Sequence, residues 1–403
     1  MSRFLHGTVN LPRSKSESNR ALMIAAYGGF PLEVDGLSDA HDTVLLKALL
    51  ERSSLRGGTT KQSIVDSEDA GTVARFLLTY LANKPGNWLL TGNERLSQRP
   101  IAPLIEALRQ LGANVTTPSL RAERSGALQS QQESLPLQIV GKPLEGGRVT
   151  LDASQSSQFA SSLLLAAPTW EQGLHLTLTG NPVSMPYLEM TIKMMECFGV
   201  QVTRSGKEVA VKQQPYRPCS FTVSADWSAA SYWYEMLALS DGGELLLKGL
   251  ISHSLQGDAI IVEWFKPFGI TTTFEPQGAR LIKQNPIKEF PQNLVFDFTN
   301  NPDLFPAVYA TCVALNVDAV FKGTETLSVK ESDRLNALKT ELSIIPQNSP
   351  LSLPVFCTYG DHRIAMSLAS LWPLFGPVTV DNPSVVGKSY PSFWEEMKRF
   401  MMQ

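Results

Sequence analysis

The chain has 403 residues, of which 43% are hydrophobic and 18% are charged, and its formal net charge is −3. A chain of this length exceeds the size at which one hydrophobic core keeps growing, so we expect two domains in an ordinary soluble globular protein. The slight negative charge argues against a surface that is basic throughout and binds nucleic acid, so any anion site must be concentrated.

The cysteines and the apolar segments predict the compartment. Cys197, Cys219, Cys312 and Cys357 are widely spaced and form no CxxC pair, which favours buried or incidental thiols in a reducing cytoplasm. No uncharged apolar run approaches the roughly 18 residues of a membrane helix, and the N-terminus has no signal-peptide core. The sequence therefore predicts a cytoplasmic protein without a membrane partner.

The first chemically informative segment is 12–20, which places cations and hydroxyls immediately before the apolar run 21–26. The first turn of a helix has unpaired N–H groups and the positive end of the helix dipole. Serine caps together with Lys15 and Arg20 therefore predict a phosphate or carboxylate site. If Ser16 caps the helix, Arg20 lies four residues later and returns to the capped end of the same face.

A polar loop followed by an Ala- and Leu-rich helix occurs six times along the chain. These inner helices are apolar nearly all round, so we expect them to be buried together. They are predicted at 14–26, 69–82, 154–167, 226–239, 303–314 and 361–371. Six amphipathic outer helices alternate with them and are predicted at 41–50, 101–111, 187–198, 259–268, 332–342 and 391–401.

Short β-type runs closed by glycine, such as 89–92 and 176–180, complete the repeat. The unit is strand, helix, strand, helix and a strand pair. Six units in a chain of this length predict an α/β fold with three units per domain around the buried helices.

The loops before these helices carry most of the chemistry. Cations at helix N-termini have the wrong charge for the helix dipole, so their number predicts a polyanionic ligand. Taken singly, each loop is also explained as a cap or as a solvated charge run, as for 330–334. No His/Cys spacing predicts a metal, and no phosphate-binding lysine loop or GxGxxG motif predicts a nucleotide cofactor.

The ordered motifs resemble one family over residues 11–394. They occupy 11–22, 70–75, 90–101, 156–159, 182–187, 256–258, 302–307, 329–335, 359–366 and 386–391. The chain is similar to the 5-enolpyruvylshikimate-3-phosphate synthases (3-phosphoshikimate 1-carboxyvinyltransferases). This resemblance implies the two-domain enolpyruvyl-transferase fold, in agreement with the repeat count.

The resemblance also implies an arrangement and a reaction. One domain is expected at 14–224 and the other at 1–13 with 225–403, joined by a two-stranded hinge with the active cleft between them. The enolpyruvyl group of phosphoenolpyruvate is expected to pass to the 5-hydroxyl of shikimate 3-phosphate with release of phosphate. No cofactor or metal is implied, and we expect a monomer.

The site residues follow from the matching motifs. For shikimate 3-phosphate the resemblance implies Lys15, Ser16, Arg20, Ser156, Ser157, Gln158, Ser184, Tyr187, Asp303, Thr326 and Lys330. For phosphoenolpyruvate it implies Lys15, Gly71, Arg99, Gln158, Arg334, Arg363 and Lys388. Asp303, Glu331 and Lys15 are the implied catalytic residues, with Asp303 accepting the hydroxyl proton and Glu331 protonating the methylene carbon. Arg75 and His362 are implied as supporting residues.

Some positions depart from the family pattern. Asp69 replaces a usual Asn and is expected to point away as a cap, Phe76 stands where many relatives have Pro, and Thr326 stands where Asn is common. The segment 343–357 is too short for the usual strand pair, so we expect one trimmed sheet.

Two other functions remain open from the sequence. A UDP-N-acetylglucosamine enolpyruvyl transferase shares the fold, but the chain has no cysteine between Leu90 and Arg124. A non-catalytic anion-binding protein of the same fold is the second alternative, and the presence of both Asp303 and Glu331 argues against it.

Overall fold

The structure is a computed structural model that describes residues 3–31, 34–52, 62–118, 133–287, 289–345 and 353–402. The chain folds into two compact units. The first unit comprises Met1–Lys15, Gly36–His41 and Thr222–Gln403, and the second comprises Ser16–Asp35 and Asp42–Phe221. The boundaries expected from the family, and the hinge, stay predictions.

The helices of the described residues follow in chain order. They are α1 (Lys15–Gly28), α2 (His41–Glu51), α3 (Gly71–Ala82), α4 (Glu94–Ser97), α5 (Ala102–Gln110), α6 (Ser157–Ala166), α7 (Met185–Cys197), α8 (Trp227–Leu239), α9 (Ile261–Trp264), α10 (Phe305–Ala314), α11 (Arg334–Ser343), α12 (His362–Ala369), α13 (Trp372–Phe375) and α14 (Phe393–Met401). None of them is long and apolar enough to cross a membrane.

The strands of the described residues are short. They are β1 (Phe4–Asn10), β2 (Val34–Asp35), β3 (Ser63–Asp66), β4 (Gly86–Thr91), β5 (Asn114–Thr116), β6 (Leu137–Gly141), β7 (Gly147–Asp152), β8 (Leu174–Thr179), β9 (Val202–Ser205), β10 (Glu208–Val211), β11 (Phe221–Thr222), β12 (Gly242–Lys248), β13 (Thr271–Glu275), β14 (Gly278–Lys283), β15 (Leu294–Asp297), β16 (Ala319–Lys322), β17 (Val355–Phe356) and β18 (Thr379–Val380).

Three four-stranded sheets share one topology. The first unit contains the order β1-β12-β14-β13, and the second contains β3-β4-β6-β5 and β7-β8-β10-β9. In each sheet the first two strands are parallel, and the other two pair antiparallel. In the second unit one helix connects each parallel pair, α3 between β3 and β4 and α6 between β7 and β8, as a parallel crossover requires. In the first unit β1 and β12 are far apart in the chain, and α8 immediately precedes β12. This repetition confirms the α/β repeat predicted from the sequence.

Two further sheets of the first unit have only their two parallel strands among the described residues. They are β15-β16 and β17-β18. In chain order β16 is followed by α11 and then by the segment 343–357 that is too short for the usual strand pair, of which 346–352 fall outside the described residues. The reduced β17-β18 pair was not predicted.

The inner helices lie in the interior, as predicted. Every residue of α8 is buried, and α8, α10 and α12 pack against one another in the first unit. In the second unit α3 packs against α6. Because these helices are enclosed, the polar residues at their N-terminal ends are held on rigid elements.

The prediction of one continuous outer helix at 259–268 is wrong. The segment forms a 3₁₀ turn at Gly257–Ile260, the single turn α9, and a second 3₁₀ turn at Lys266–Phe268. Pro267 explains the break, because proline lacks the N–H and its ring collides with the carbonyl four residues earlier.

The four cysteines differ in their exposure to solvent, and two of them lie close together. Cys312 is buried as expected, whereas Cys197 is exposed at the end of α7 and its Sγ lies 3.1 Å from Sγ of Cys219. The sequence could not show this proximity, because 22 residues separate the two positions.

Candidate functional site

The first unit contains a group of opposite charges that we call the Arg334 cluster: Arg334, Asp303, Glu331, Asp361 and Arg363. The Arg334 guanidinium donates from Nη1 to Asp303 Oδ1 at 2.9 Å, from Nη2 to Glu331 Oε2 at 2.6 Å and from Nε to Asp361 Oδ2 at 2.8 Å. Arg363 Nη2 donates to the other Asp303 oxygen at 2.8 Å. Both implied catalytic acids therefore bind one guanidinium.

Local structure explains how these side chains meet. Asp303 lies in the 3₁₀ turn Pro302–Leu304 that leads into α10, and Arg334 is the first residue of α11. Asp361 is the N-cap of α12, where Oδ1 accepts from the Arg363 N–H at 2.9 Å. Aspartate is a favoured cap because its carboxylate pairs with an orphan N–H and with the helix dipole.

Burial and charge act against each other in this cluster. Burial raises the pKa of Asp303, but Arg363, Lys330 and Arg334 together hold it well below its ordinary value. Burial lowers the pKa of Arg334, and Asp361, Glu331 and Asp303 reverse this and raise it above the usual range. Asp303 and Arg334 are thus both charged at neutral pH.

His362 has the opposite character. It is 1% exposed, and neither ring nitrogen has a hydrogen-bond partner among the described residues. Burial lowers its pKa well below 6.5, and the charges of Lys15 and Arg363 lower it further. His362 is therefore neutral, which suits a residue packed among cations.

A further carboxylate, Asp258, holds the turn that carries Asp303 through a hydrogen bond from Asn301. Asp258 is buried, and its Oδ1 accepts from Asn301 Nδ2 at 3.1 Å while Oδ2 accepts from the Ser228 hydroxyl at 2.5 Å. Burial, and then the nearby Asp303, raise the pKa of Asp258 to about 6. Since Asn301 begins the turn that carries Asp303, Asp258 fixes the position of that acid.

The other implied residues of the first unit lie in 3₁₀ turns or next to them, or at the start of α1. Thr326 is 8% exposed and its hydroxyl has no partner among the described residues, so it has an unused donor and acceptor. Lys330 follows the 3₁₀ turn Glu325–Val329, and Lys388 ends the turn Pro383–Lys388 and is buried. Lys15 opens α1 and is half-buried.

In the second unit Arg20 is almost fully buried. Its guanidinium donates to Thr191 Oγ1 at 2.7 Å, to the Ser16 carbonyl at 2.9 Å and to the Tyr187 carbonyl at 3.1 Å. Burial lowers the pKa of Arg20 to about 10, against the opposing effects of Tyr187 and Glu17. The expected return of Arg20 to Ser16 is confirmed, but α1 begins at Lys15, so Ser16 lies in the first turn and is not its cap.

Gln158 is held between two side chains of α3. Its Oε1 accepts from Arg75 Nη1 at 2.7 Å, and its Nε2 donates to Thr72 Oγ1 at 3.0 Å. Arg75 also donates to the Pro100 carbonyl at 2.9 Å and lies over the Phe159 ring. These contacts connect the starts of α3 and α6 to the loop that carries Arg99.

Gly71 and Arg99 are in close contact. A Cβ added at Gly71 would lie 2.6 Å from Arg99 Nη1 and 3.0 Å from Arg75 Nη1. Only glycine at this first residue of α3 leaves space for the Arg99 guanidinium. The helix has Ala70 at its N-cap and no side-chain cap, so the expectation that Asp69 caps it is wrong.

The implied serines stand at two other helix starts. Ser156 is the N-cap of α6 and accepts from the Gln158 N–H at 3.2 Å, and Ser157 is buried beside it. Ser184 is the N-cap of α7 with φ +56°, and its carbonyl accepts from the Tyr187 N–H at 3.1 Å. A left-handed conformation at a non-glycine residue is costly and is concentrated at functional sites.

The structure thus places the implied residues in two groups, one within each unit. The sequence analysis missed the pairing of Asp361 with Arg334 and the support of Asp303 by Asp258 and Asn301. Both aspartates lie in quoted motifs, but only the folded chain shows their partners.

A repeated α/β fold of two units, with cations and acids at the starts of its buried helices, is the architecture of an enolpyruvyl transferase. The sequence matches the family described as EPSP synthase (3-phosphoshikimate 1-carboxyvinyltransferase) over residues 2–397. The chain belongs to this family, and it is a transferase of the shikimate pathway.

Individual relatives agree with this membership. The 3-phosphoshikimate 1-carboxyvinyltransferase of Bacteroides fragilis is 39% identical over 413 residues, covering 98% of this chain and 95% of the relative. That of Methanospirillum hungatei is 32% identical over 420 residues, covering 96% and 94%. The solved EPSP synthase of Acinetobacter baumannii has a TM-score of 0.72 at 22% identity, covering 99% and 96%, which shows the fold. These matches do not favour the two alternatives.

The contact at Gly71 generates a prediction. Gly71→Ala should push the Arg99 guanidinium aside and raise the KM for phosphoenolpyruvate about tenfold or more, because a misplacement of about 1 Å can cost roughly 100-fold. The KM for shikimate 3-phosphate should change less. Steady-state kinetics with each substrate varied separately checks this.

Arg99→Ala provides the control background. If the glycine acts through Arg99, adding Gly71→Ala to Arg99→Ala should have little further effect. An equal loss in both backgrounds would contradict the explanation.

Proposed function

We propose that the chain transfers the enolpyruvyl group of phosphoenolpyruvate to the 5-hydroxyl of shikimate 3-phosphate and releases phosphate. Family membership supports the reaction, and the observation that carries it is the Arg334 cluster. Two acids held on one guanidinium provide proton donors and acceptors beside a group that binds carboxylate or phosphate. In a protein that only bound anions, these acids would compete with the ligand for the guanidinium.

In this proposal phosphoenolpyruvate competes with carboxylates of the protein for the same guanidinium groups. The forked guanidinium of Arg363 already matches a carboxylate, since it binds Asp303. An incoming carboxylate or phosphate offers the same geometry. Lys15, Arg334, Arg363 and Lys388 of the first unit, with Gly71, Arg99 and Gln158 of the second, are the proposed ligands.

The exchange of partners has a chemical consequence. Asp303 is a poor proton acceptor while both of its oxygens accept from arginines, because these cations hold its pKa low. When substrate takes over part of a guanidinium, the Asp303 carboxylate becomes more basic. We propose that it then accepts the proton of the attacking hydroxyl.

Glu331 has the complementary role. It is proposed to protonate the methylene carbon, so that the hydroxyl oxygen can bond to the neighbouring carbon of phosphoenolpyruvate. When a proton is then removed from the resulting methyl group, the carbon–oxygen bond to phosphate breaks, the carbon–carbon double bond forms again, and the product is the enol ether. The lysines and arginines stabilise the charge that develops on the phosphate and the carboxylate.

Shikimate 3-phosphate is assigned by resemblance to the hydroxyl-rich helix starts of the second unit and to Lys15, Asp303, Thr326 and Lys330 of the first. Ser156, Ser157, Ser184 and Tyr187 supply neutral hydrogen-bonding groups that suit hydroxyls. Arg20 is proposed to hold the acid and its phosphate together with these serines, with Ser16 beside it, and the strained Ser184 backbone supports a binding role. The monomeric state and the cytoplasmic location stay proposals.

Phosphate release tests the function directly. The purified protein should release phosphate from phosphoenolpyruvate when shikimate 3-phosphate is present and not when UDP-N-acetylglucosamine replaces it. Release with the UDP-sugar would support the sister enzyme. Absence of release with both acceptors, despite measured binding, would support a non-catalytic protein.

The two acids give a further prediction. Asp303→Ala and Glu331→Ala should each lower the turnover number by roughly 10²–10⁴, because proton transfer is lost. Phosphoenolpyruvate binding should not weaken, because removing either carboxylate leaves the cations with less competition. Calorimetric titration beside steady-state phosphate release measures both quantities.

Glu325→Ala is the matched control, since Glu325 is an exposed acid of the same unit. It should keep near-normal turnover. Near-normal turnover in Asp303→Ala or Glu331→Ala would remove that residue from the mechanism. Loss of binding together with turnover would assign it a structural role.

A further inference from the structure

Cys197 and Cys219 form a thiol pair on the surface of the second unit. Their Sγ atoms are 3.1 Å apart, closer than sulfur atoms in ordinary van der Waals contact. Cys197 is the last residue of α7, and Cys219 lies two residues before β11. Neither belongs to the groups of residues assigned to substrate.

The surrounding chain holds the two cysteines together. The Arg217 N–H donates to the Phe198 carbonyl at 2.9 Å, directly beside Cys197 in sequence. The rings of Phe198 and Phe221 lie 5.9 Å apart on the other side of Cys219. The segment that precedes β11 is therefore fixed against the end of α7, and the sulfur contact does not depend on side-chain rotation alone.

The pair is accessible, and the Cys197 thiol is protonated at neutral pH. Cys197 is exposed, and Cys219 is half-buried and lies 3.5 Å from the Ser220 carbonyl, to which its thiol donates. Burial raises the pKa of Cys197 to about 11, and its contact with Cys219 contributes. Because the thiolate is the reactive form, oxidation should be slow at neutral pH and faster as the pH rises.

We propose that Cys197 and Cys219 are a modification site. When a low-molecular-weight disulfide such as oxidised glutathione oxidises them, they form a reversible disulfide with each other. One thiol loses its proton and attacks a sulfur of the small disulfide, which expels one thiolate and leaves a mixed disulfide. The second cysteine then attacks the protein sulfur of that bond and expels the second thiolate. The protein loses two electrons and two protons, and the oxidant becomes two thiols.

The bond has a structural consequence because of where it lies. The second unit ends at Phe221, so the chain leaves it directly after Cys219. A Cys197–Cys219 bond ties this exit segment to the end of α7, whose opposite end carries Ser184 and Tyr187. Closing the 22-residue separation also restricts the unfolded chain, so the oxidised protein should unfold at a higher temperature.

The test treats the full chain with oxidised glutathione at pH 7 and at pH 9. We expect the free thiols counted after denaturation to fall from four to two. A non-reducing peptide map should show one linked pair containing Cys197 and Cys219, formed faster at pH 9. The linked protein should have a higher thermal midpoint than the reduced protein, and dithiothreitol should reverse both changes.

Single variants make the assignment specific. Cys197→Ser and Cys219→Ser should each accumulate a glutathione adduct on the remaining cysteine and show no rise in thermal midpoint. Cys357 is a half-buried thiol outside the pair. The Cys357→Ser variant should therefore form the Cys197–Cys219 bond as the native protein does. These variants leave the substrate-binding residues intact, so the native turnover of each reduced variant shows that it is folded.

Two results would overturn the proposal. One is the accumulation of separate glutathione adducts on Cys197 and Cys219 of the native protein with no linked peptide. The other is a link to Cys312 or Cys357 in place of this pair. If the Cys197–Cys219 disulfide forms but the thermal midpoint does not rise, the claim that the bond restrains the exit segment is refuted.

Discussion

The bond between Asp361 and Arg334 is the contact on which the chemistry of the first unit depends. Asp361 is fully buried, caps α12 with one oxygen and accepts from Arg334 Nε with the other. It therefore fixes the start of α12, and with it Arg363, relative to the start of α11. A buried arginine left without such a partner would be strongly destabilising. The other N–H groups of Arg334 hold Asp303 and Glu331, which we propose an anionic substrate replaces.

Charge compensation explains why so many cations can stand at helix starts. Cations at helix N-termini oppose the helix dipole, so the sequence predicts an anionic ligand. The structure shows that carboxylates of the protein already neutralise part of this charge at Arg334 and Arg363. In the proposed mechanism an anionic substrate replaces these internal partners and does not enter an uncompensated site. The proposal thus links the binding of phosphoenolpyruvate to the basicity of Asp303, because both concern the same guanidinium groups.

The periodic features of the chain were predictable from the sequence. Apolar helices such as α8, and polar residues before them, follow from local patterns with a period of a few residues. Pro267, which breaks the helix predicted at 259–268, is likewise a local signal in the sequence. Pairings between distant residues were not predictable, because Asp361 and Arg334 are 27 positions apart and Asp258 and Asn301 are 43 apart. Motifs indicate which residues matter, whereas the choice of partners follows from the packing of the inner helices.

The measurement that tests this account most directly is the affinity for phosphoenolpyruvate of Asp361→Asn, titrated by calorimetry in the presence of shikimate 3-phosphate. Asp333→Asn is the control, since Asp333 caps α11 and hydrogen-bonds Asn336. A hydrogen bond to a charged group contributes about 1.5–3 kcal/mol, so Asp361→Asn should weaken binding roughly tenfold or more. Asp333→Asn should stay within about a factor of two of the native protein, as a capping change with no charged partner. Equal affinities in the two variants would contradict the claim that Asp361 positions Arg334 for substrate.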